Sequence, residues 1–173
     1  MLQIRRGVFE TNSSSVHSMT IPKHISGELP KHLSFHLGEW GWESGELDGL
    51  EARSYLYTAI CQQCDPDIKE EYLDRIKDWL DEWGIKYYFD EPQYFRDNVW
   101  NCLENGSIDH GDLVPFIEGV LKDKDSFKRF LLGGVVYTGN DNGWDDDDMC
   151  WIGNDSNHPK RDDENYEYYF KGN

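Results

Sequence analysis

Two cysteines separated by two residues, Cys61 and Cys64, form the pattern in this sequence with the most defined chemistry. Thiolates three positions apart near the end of a helix can share one metal ion, and a zinc ion would then need two further ligands. No second such pair follows at zinc-finger spacing. The remaining ligands would be drawn from Cys102, Cys150, His17 and His110. The alternative is a pair of helical cysteines without a metal, one of them buried.

Hydroxyl side chains lie beside a histidine in Asn12–Ser18, which reads Asn-Ser-Ser-Ser-Val-His-Ser. A serine nucleophile needs a base and an orienting carboxylate that meet it in space, and His17 on a strand would point away from its neighbours. The stretch therefore favours a hydrogen-bonded turn followed by a strand histidine. The adjacent pair Asp109 and His110 is typical of an oriented imidazole, and equally of a loop that leads into a helix.

Four consecutive aspartates, Asp145–Asp148, lie between Trp144 and Trp151. The run lacks the ligand spacing of an EF-hand, and a solvated acidic segment is its simplest interpretation. Aromatic side chains beside carboxylates also suit contact with Arg or Lys of another protein. We therefore predict a partner-binding segment, made by Trp144, Asp145, Asp146, Asp147, Asp148 and Trp151.

The net charge of the chain indicates which class of partner it can bind. Its 173 residues include 17 Lys and Arg against 34 Asp and Glu, which gives a net charge of −17. Binding of DNA, RNA or anionic lipid depends on neutralising phosphates with basic side chains, so direct binding to nucleic acid or membrane is not expected. The charge favours a basic protein partner, and proteins that handle nucleic acid are the commonest of these.

The composition also indicates where the protein works. No apolar run approaches the roughly 20 residues that span a bilayer, and the first residues lack the apolar segment of a signal peptide. The expected location is the cytoplasm, where thiols stay reduced and the four cysteines would not form disulfides.

Helical periodicity predicts most of the secondary structure. The clearest helix is capped by Asp65, has Pro66 at its first position and ends at Gly84. Other helices are predicted at 51–64, 92–103, 113–121 and 125–132, and short strands at 2–9, 16–21, 85–89, 135–138 and 166–170. Glycine and proline recur through 22–50, which is therefore predicted to be mostly loop.

These elements predict an α+β fold, namely a mainly helical single domain with a small antiparallel sheet and an acidic C-terminal segment. The domain is expected to span residues 1–142. Residues 141–173 carry ten acidic side chains. A terminal strand is expected to pack the segment 143–173 on the same domain.

The string Gly7–Ser18 resembles the opening of a family of small phage and prophage proteins of unassigned activity. Shorter stretches resemble the same family in the same order, at 38–43, 54–58, 108–110 and 137–142. The resemblance implies convergence of His17, Glu43, Asp109, His110 and Asp141. Spacing favours the cysteines and the resemblance favours the histidines, so we predict a mixed zinc site that joins both sets. Its ligands would be His17, Cys61, Cys64 and His110.

In size, charge and source the chain is also similar to type II-A anti-CRISPR inhibitors. This similarity implies an acidic, phage-encoded inhibitor that acts in the cytoplasm of a bacterial host cell. It would bind a basic surface of a nucleic-acid enzyme, a type II CRISPR effector nuclease, and block its use of DNA. The alternative is a metal-dependent hydrolase, in which His17, His110 and a carboxylate leave one metal position open for water.

Overall fold

The computed structural model describes residues 17–25, 27–40, 45–63, 65–95, 103–108, 113–140, 143–145, 150–152, 160 and 162–172. The predicted strand at 2–9 lies outside these residues. Within them the α+β fold is confirmed, since helices pack against a small antiparallel sheet. In these same residues, no helix combines the length and the apolar character that crossing a membrane requires.

The described helices are α1 (Gly49–Gln63), α2 (Pro66–Glu82), α3 (Val114–Leu121) and α4 (Lys124–Leu132). The start of α1 is fixed by Asp48, whose side chain accepts hydrogen bonds from the main-chain N–H groups of Leu50 and Glu51 at 2.8 and 3.1 Å. The Glu51 carboxylate accepts from the Asp48 N–H at 3.3 Å, which completes a capping box. This cap explains why α1 begins two residues before the predicted helix.

The end of α2 confirms the sequence pattern. Gly84 has a φ of 70°, a left-handed conformation that glycine adopts without steric cost. Its N–H donates to the Asp81 carbonyl and the N–H of Ile85 donates to that of Leu80, the two hydrogen bonds of a Schellman motif. The chain therefore reverses and enters β5 (Lys86–Phe89) directly.

The main sheet has four strands, which are β1 (His17–Pro22), β4 (Gly45–Leu47), β7 (Val136–Asn140) and β10 (Tyr166–Gly172). Their order in the sheet is β10, β1, β7, β4, and each neighbouring pair is antiparallel. The last strand of the chain, β10, is thus an edge strand beside the first described strand. Its Glu167 carboxylate accepts hydrogen bonds from Arg129 of α4 at 2.8 Å and from Lys122 at 3.1 Å.

Two short strands, each a member of a parallel pair, lie in the part of the chain that was predicted to be mostly loop. The strand β2 (His32–Phe35) pairs with β5, and β3 (Glu39–Trp40) pairs with β6 (Ser107–Ile108). The prediction for 22–50 was wrong there because both strands obtain their hydrogen bonds from strands more than 50 residues away. The side chains of β2 also alternate in burial. A hairpin of β8 (Gly143–Asp145) and β9 (Cys150–Ile152) completes the described strands.

The predicted helix at 92–103 is also wrong at both ends. Tyr94 and Leu103 pair in an isolated antiparallel bridge, and residues 91–93 have no helical assignment. Phe95, expected on an apolar helix face, is 54 % exposed. The Asn105 side chain explains part of this, since it accepts from the Gln93 N–H and donates to the Glu91 carbonyl. Those bonds hold the segment extended.

The hydrophobic core forms around α1, which contacts β2, β6, α3 and α4. Every residue from Ser54 to Cys61 is buried, so this helix is enclosed on nearly all sides. The rings of Phe116 and Phe130 stack edge to face, with their centroids 6.0 Å apart. The rings of Phe116 and Tyr55 stack in the same way, with their centroids 5.8 Å apart. Such pairs stabilise the fold beyond the area that they bury.

Candidate functional site

The predicted zinc ligands are only partly placed. His17 is the first residue of β1, where it lies opposite Asn140 of β7 and Gly172 of β10. Cys61 is in the last turn of α1, while Cys64 and His110 lie outside the described residues. Across the described ranges, no three His, Cys, Asp or Glu side chains gather as they would around a metal ion. The zinc site therefore stays a prediction.

The environment of Cys61 favours a neutral thiol. The side chain is buried, and burial raises the pKa of the thiol to about 11. Hydrogen bonds with Tyr57 and Tyr94 and the nearby charge of Lys69 lower the pKa only in part. Because a metal ligand must be a thiolate, zinc binding at Cys61 would have to displace this proton.

The predicted partner-binding segment includes a β-hairpin. In its register Trp144 lies directly opposite Trp151, and Asp145 lies opposite Cys150. The pairing thus brings the two tryptophans, seven positions apart in the chain, to one level of the hairpin. Asp146–Asp148 lie outside the described residues.

A larger organised acidic surface lies on α2, where sequence reasoning recognised only the helix. Five exposed carboxylates recur every three or four residues, which places them along one face for about 22 Å. We call this the acidic face of α2, made by Asp67, Glu71, Asp74, Asp78 and Glu82. The buried residues Tyr72, Ile76 and Leu80 lie on the opposite side. The spacing of the carboxylates within the predicted helix was the signal for this face.

The charges on this helix are only partly balanced. Glu71 pairs with Arg75 at 2.7 Å and Asp74 pairs with Lys77 at 2.8 Å, while Glu82 pairs with Lys124 of α4. No described residue forms an ion pair with Asp67, Glu70 or Asp78. Exposed ion pairs of this kind contribute little to the stability of the fold. The acidic face keeps a net negative charge because its carboxylates are only partly paired.

A second polar site lies where β2 and β5 end. His36 follows β2 and Asp90 follows β5, so the parallel register brings the two residues side by side. The Nδ1 atom of His36 is 3.1 Å from one carboxylate oxygen of Asp90. The other carboxylate oxygen accepts a hydrogen bond from the main-chain N–H of Leu37 at 3.0 Å. The side chains of His36 and Asp90 are 44 % and 28 % exposed.

The backbone around this pair is fixed from several directions. The Asp90 N–H donates to the Phe35 carbonyl, and the Tyr57 hydroxyl donates to the Asp90 carbonyl at 2.5 Å. The His36 N–H donates to the Ser54 hydroxyl of α1 at 3.3 Å. The core helix therefore holds both residues in place. The carboxyl ends of parallel strands are also where ligands commonly bind in open sheets that contain helices.

Sequence reasoning missed His36 and Asp90. Asp90 directly follows the predicted strand 85–89, which was an available signal. His36 lay in a segment predicted as loop, so nothing indicated a partner strand or a shared edge. Their contact joins residues 54 positions apart.

Comparison with protein-family models, with curated proteins and with solved structures finds no match to this chain.

Proposed function

We propose that the protein is an acidic inhibitor that binds a basic, nucleic-acid-binding surface of another protein and blocks its use of DNA. The observation that carries this proposal is the acidic face of α2, a row of carboxylates about 22 Å long on a chain of net charge −17. Such a row complements a groove lined by Lys and Arg to hold a phosphate backbone.

The partner that we propose first is a type II CRISPR effector nuclease in the cytoplasm of a bacterial host. Its guide–target duplex lies in a positively charged channel that is contacted through the backbone, so a rigid row of carboxylates can compete for the same side chains. The resemblance to small phage proteins and to anti-CRISPR inhibitors supports this choice. The hairpin that carries Trp144 and Trp151 would add aromatic contacts.

Electrostatic complementarity chiefly affects the rate of association, whereas buried aromatic contacts affect the rate of dissociation. The two surfaces therefore have separate kinetic signatures. We expect the acidic face of α2 to control association and its salt dependence. We expect the predicted segment from Trp144 to Trp151 to control the lifetime of the complex.

The experiment measures DNA cleavage by a purified type II effector–guide complex, and the rate at which the protein associates with that complex when the complex is immobilised on a surface. The test variant is Asp67→Asn/Glu70→Gln/Asp78→Asn, which removes two carboxylates of the acidic face and the adjacent exposed Glu70 without breaking an ion pair to a described residue. The control is Glu28→Gln/Glu104→Gln/Glu118→Gln, which removes the same charge from exposed positions elsewhere.

We expect wild type and control to inhibit cleavage, and the α2 variant to associate at least about tenfold more slowly at low salt. Equal slowing in both triple variants would mean that only net charge matters and would reject the α2 face. Absence of both inhibition and binding with wild type would reject the type II effector as partner.

A further inference from the structure

We propose that His36 is the general base of a His36–Asp90 dyad that hydrolyses uncharged esters with an aromatic group. This is a second activity, separate from the proposed inhibition, and it uses none of the residues of the acidic face of α2.

The contact between His36 and Asp90 selects one tautomer of the imidazole. A carboxylate is a hydrogen-bond acceptor, so the proton of a neutral His36 ring lies on Nδ1, which is 3.1 Å from the Asp90 oxygen. The lone pair then lies on Nε2. Because almost half of the His36 side chain is exposed, this atom can meet a substrate or a water molecule. An imidazole oriented in this way through its other nitrogen is the arrangement that general-base catalysis requires.

The dyad is fixed in place by the hydrogen bonds of Asp90. Asp90 is held at its main-chain N–H, its carbonyl and both carboxylate oxygens, by Phe35, Tyr57, Leu37 and His36. An unconstrained His–Asp pair at the surface would be expected to exchange among rotamers, whereas this one is part of the strand ends. Residues fixed before the substrate arrives reduce the entropy that is lost during reaction.

The class of substrate follows from charge and from Tyr88. A net charge of −17 and the Asp90 carboxylate repel phosphate esters and carboxylates, so an uncharged ester is favoured. Tyr88 precedes Asp90 by two positions on β5 and is 58 % exposed. Its ring centroid is 6.1 Å from that of His36, so an aromatic surface lies beside the imidazole ring.

The proposed hydrolysis consumes one water molecule. Nε2 takes a proton from water while the water oxygen forms a bond to the ester carbonyl carbon. The tetrahedral intermediate then breaks its bond to the leaving oxygen, which takes the proton back from Nε2. The products are a carboxylic acid and an alcohol or phenol. Asp90 is a positioning residue, since it contacts His36 and not the substrate.

The test uses 4-nitrophenyl acetate and the full chain, with His36→Gln, Asp90→Asn and Tyr88→Ala as variants. His32→Gln is the matched control, because His32 is an exposed histidine at the start of β2, four positions before His36, and forms no ion pair with a described residue. Circular dichroism establishes that each variant is folded.

We expect kcat/KM to fall about a hundredfold in His36→Gln, the lower end of the effect of a general base, and to stay unchanged in His32→Gln. Tyr88→Ala should raise KM with little change in kcat. Equal hydrolysis by wild type and His36→Gln, or an equal loss in His32→Gln, overturns the proposal.

A second readout is independent of activity. Long-range ¹⁵N–¹H correlation spectra of the wild type should show the Nδ1–H tautomer of neutral His36, and Asp90→Asn should shift the tautomer ratio toward Nε2–H. A dominant Nε2–H tautomer in the wild type overturns the dyad. Because the readouts concern His36 alone, their failure leaves the inhibition experiment unaffected.

Discussion

The hydroxyl of Tyr57 donates a hydrogen bond of 2.5 Å to the main-chain carbonyl of Asp90, and so connects the most enclosed helix of the core to the end of β5. The Tyr57 side chain is buried, and its ring also contacts Phe89 at 5.1 Å. Burial is the main cause that raises the pKa of this phenol far above its ordinary value, so it is a hydrogen-bond donor at every physiological pH. The polar site at the strand ends is thereby tied to the core.

Removing this hydroxyl in Tyr57→Phe should destabilise the protein by about 1 kcal/mol, the usual net value of one intramolecular hydrogen bond. The measurement is the midpoint of urea unfolding, together with the His36 tautomer ratio. Tyr88→Phe is the control, because that ring is largely exposed and its loss should change stability by less than about 0.5 kcal/mol. A larger effect of Tyr88→Phe than of Tyr57→Phe would contradict the arrangement.

Phe116→Ala should be among the most destabilising single changes in the core. The side chain is fully buried and forms edge-to-face contacts with Tyr55 and Phe130. Removing a buried ring leaves a cavity, and the expected loss is about 3–5 kcal/mol. Phe95→Ala removes the same atoms from a largely exposed position and should cost far less. Similar unfolding midpoints for the two variants would show that the core does not depend on Phe116.

The junction of β10 with the helices should depend on pH through Glu167. Burial raises the pKa of this carboxyl, but hydrogen bonds from Arg129 and Lys122 outweigh burial and lower it overall from its ordinary value of 4.5. A lowered folded-state pKa stabilises the fold above the unfolded-state value, and this stabilisation is lost as the pH falls through the folded-state value. The contribution should therefore be complete at pH 7 and absent at the lowest pH.

Glu167→Gln should reduce the free energy of unfolding by about 1 kcal/mol at pH 7. The difference from wild type should shrink as the pH falls below about 4.5. Urea unfolding of both proteins at pH 7 and pH 3 measures this, with Glu164→Gln at an exposed neighbouring position as the control. A difference of the same size at both pH values would remove Glu167 as the titrating group.

The burial of Cys61 predicts slow alkylation. A thiol pKa of about 11 instead of 9.0 lowers the thiolate fraction roughly a hundredfold near neutral pH, and burial restricts access further. Iodoacetamide labelling at pH 8, resolved by mass spectrometry of the peptide that contains Cys61, should proceed at least a hundredfold more slowly in the folded protein than in denaturant.

The same labelling tests the predicted zinc site. If burial alone protects Cys61, a chelator leaves its alkylation rate unchanged. If zinc holds it, a chelator accelerates alkylation, and the purified protein contains about one equivalent of zinc that is lost in His17→Ala and Cys64→Ser. Metal analysis of these three proteins by mass spectrometry therefore decides whether the mixed zinc site is correct.

Local signals in the sequence were sufficient for the elements that depend on neighbouring residues. The helices α1, α2 and α4 follow from apolar residues at helical spacing, and Gly84 from the need for a left-handed residue after α2. The parallel strands β2 and β3 were not recognised, because a parallel strand finds its partner across a long connection. The predicted helix near residue 95 failed because tertiary hydrogen bonds from Asn105 outweighed a helical pattern.

The sequence by itself determined the charge of −17, the class of partner that this charge permits, and the order of carboxylates along α2, since these depend on composition and on helical period. Only the tertiary structure decided that His36 lies beside Asp90, because no periodicity relates two residues 54 positions apart. It also decided that Cys61 is buried, since enclosure by α2 and the segment around Tyr94 depends on packing. A local pattern can specify the face of a helix, whereas a contact between strand ends depends on the register of the whole sheet.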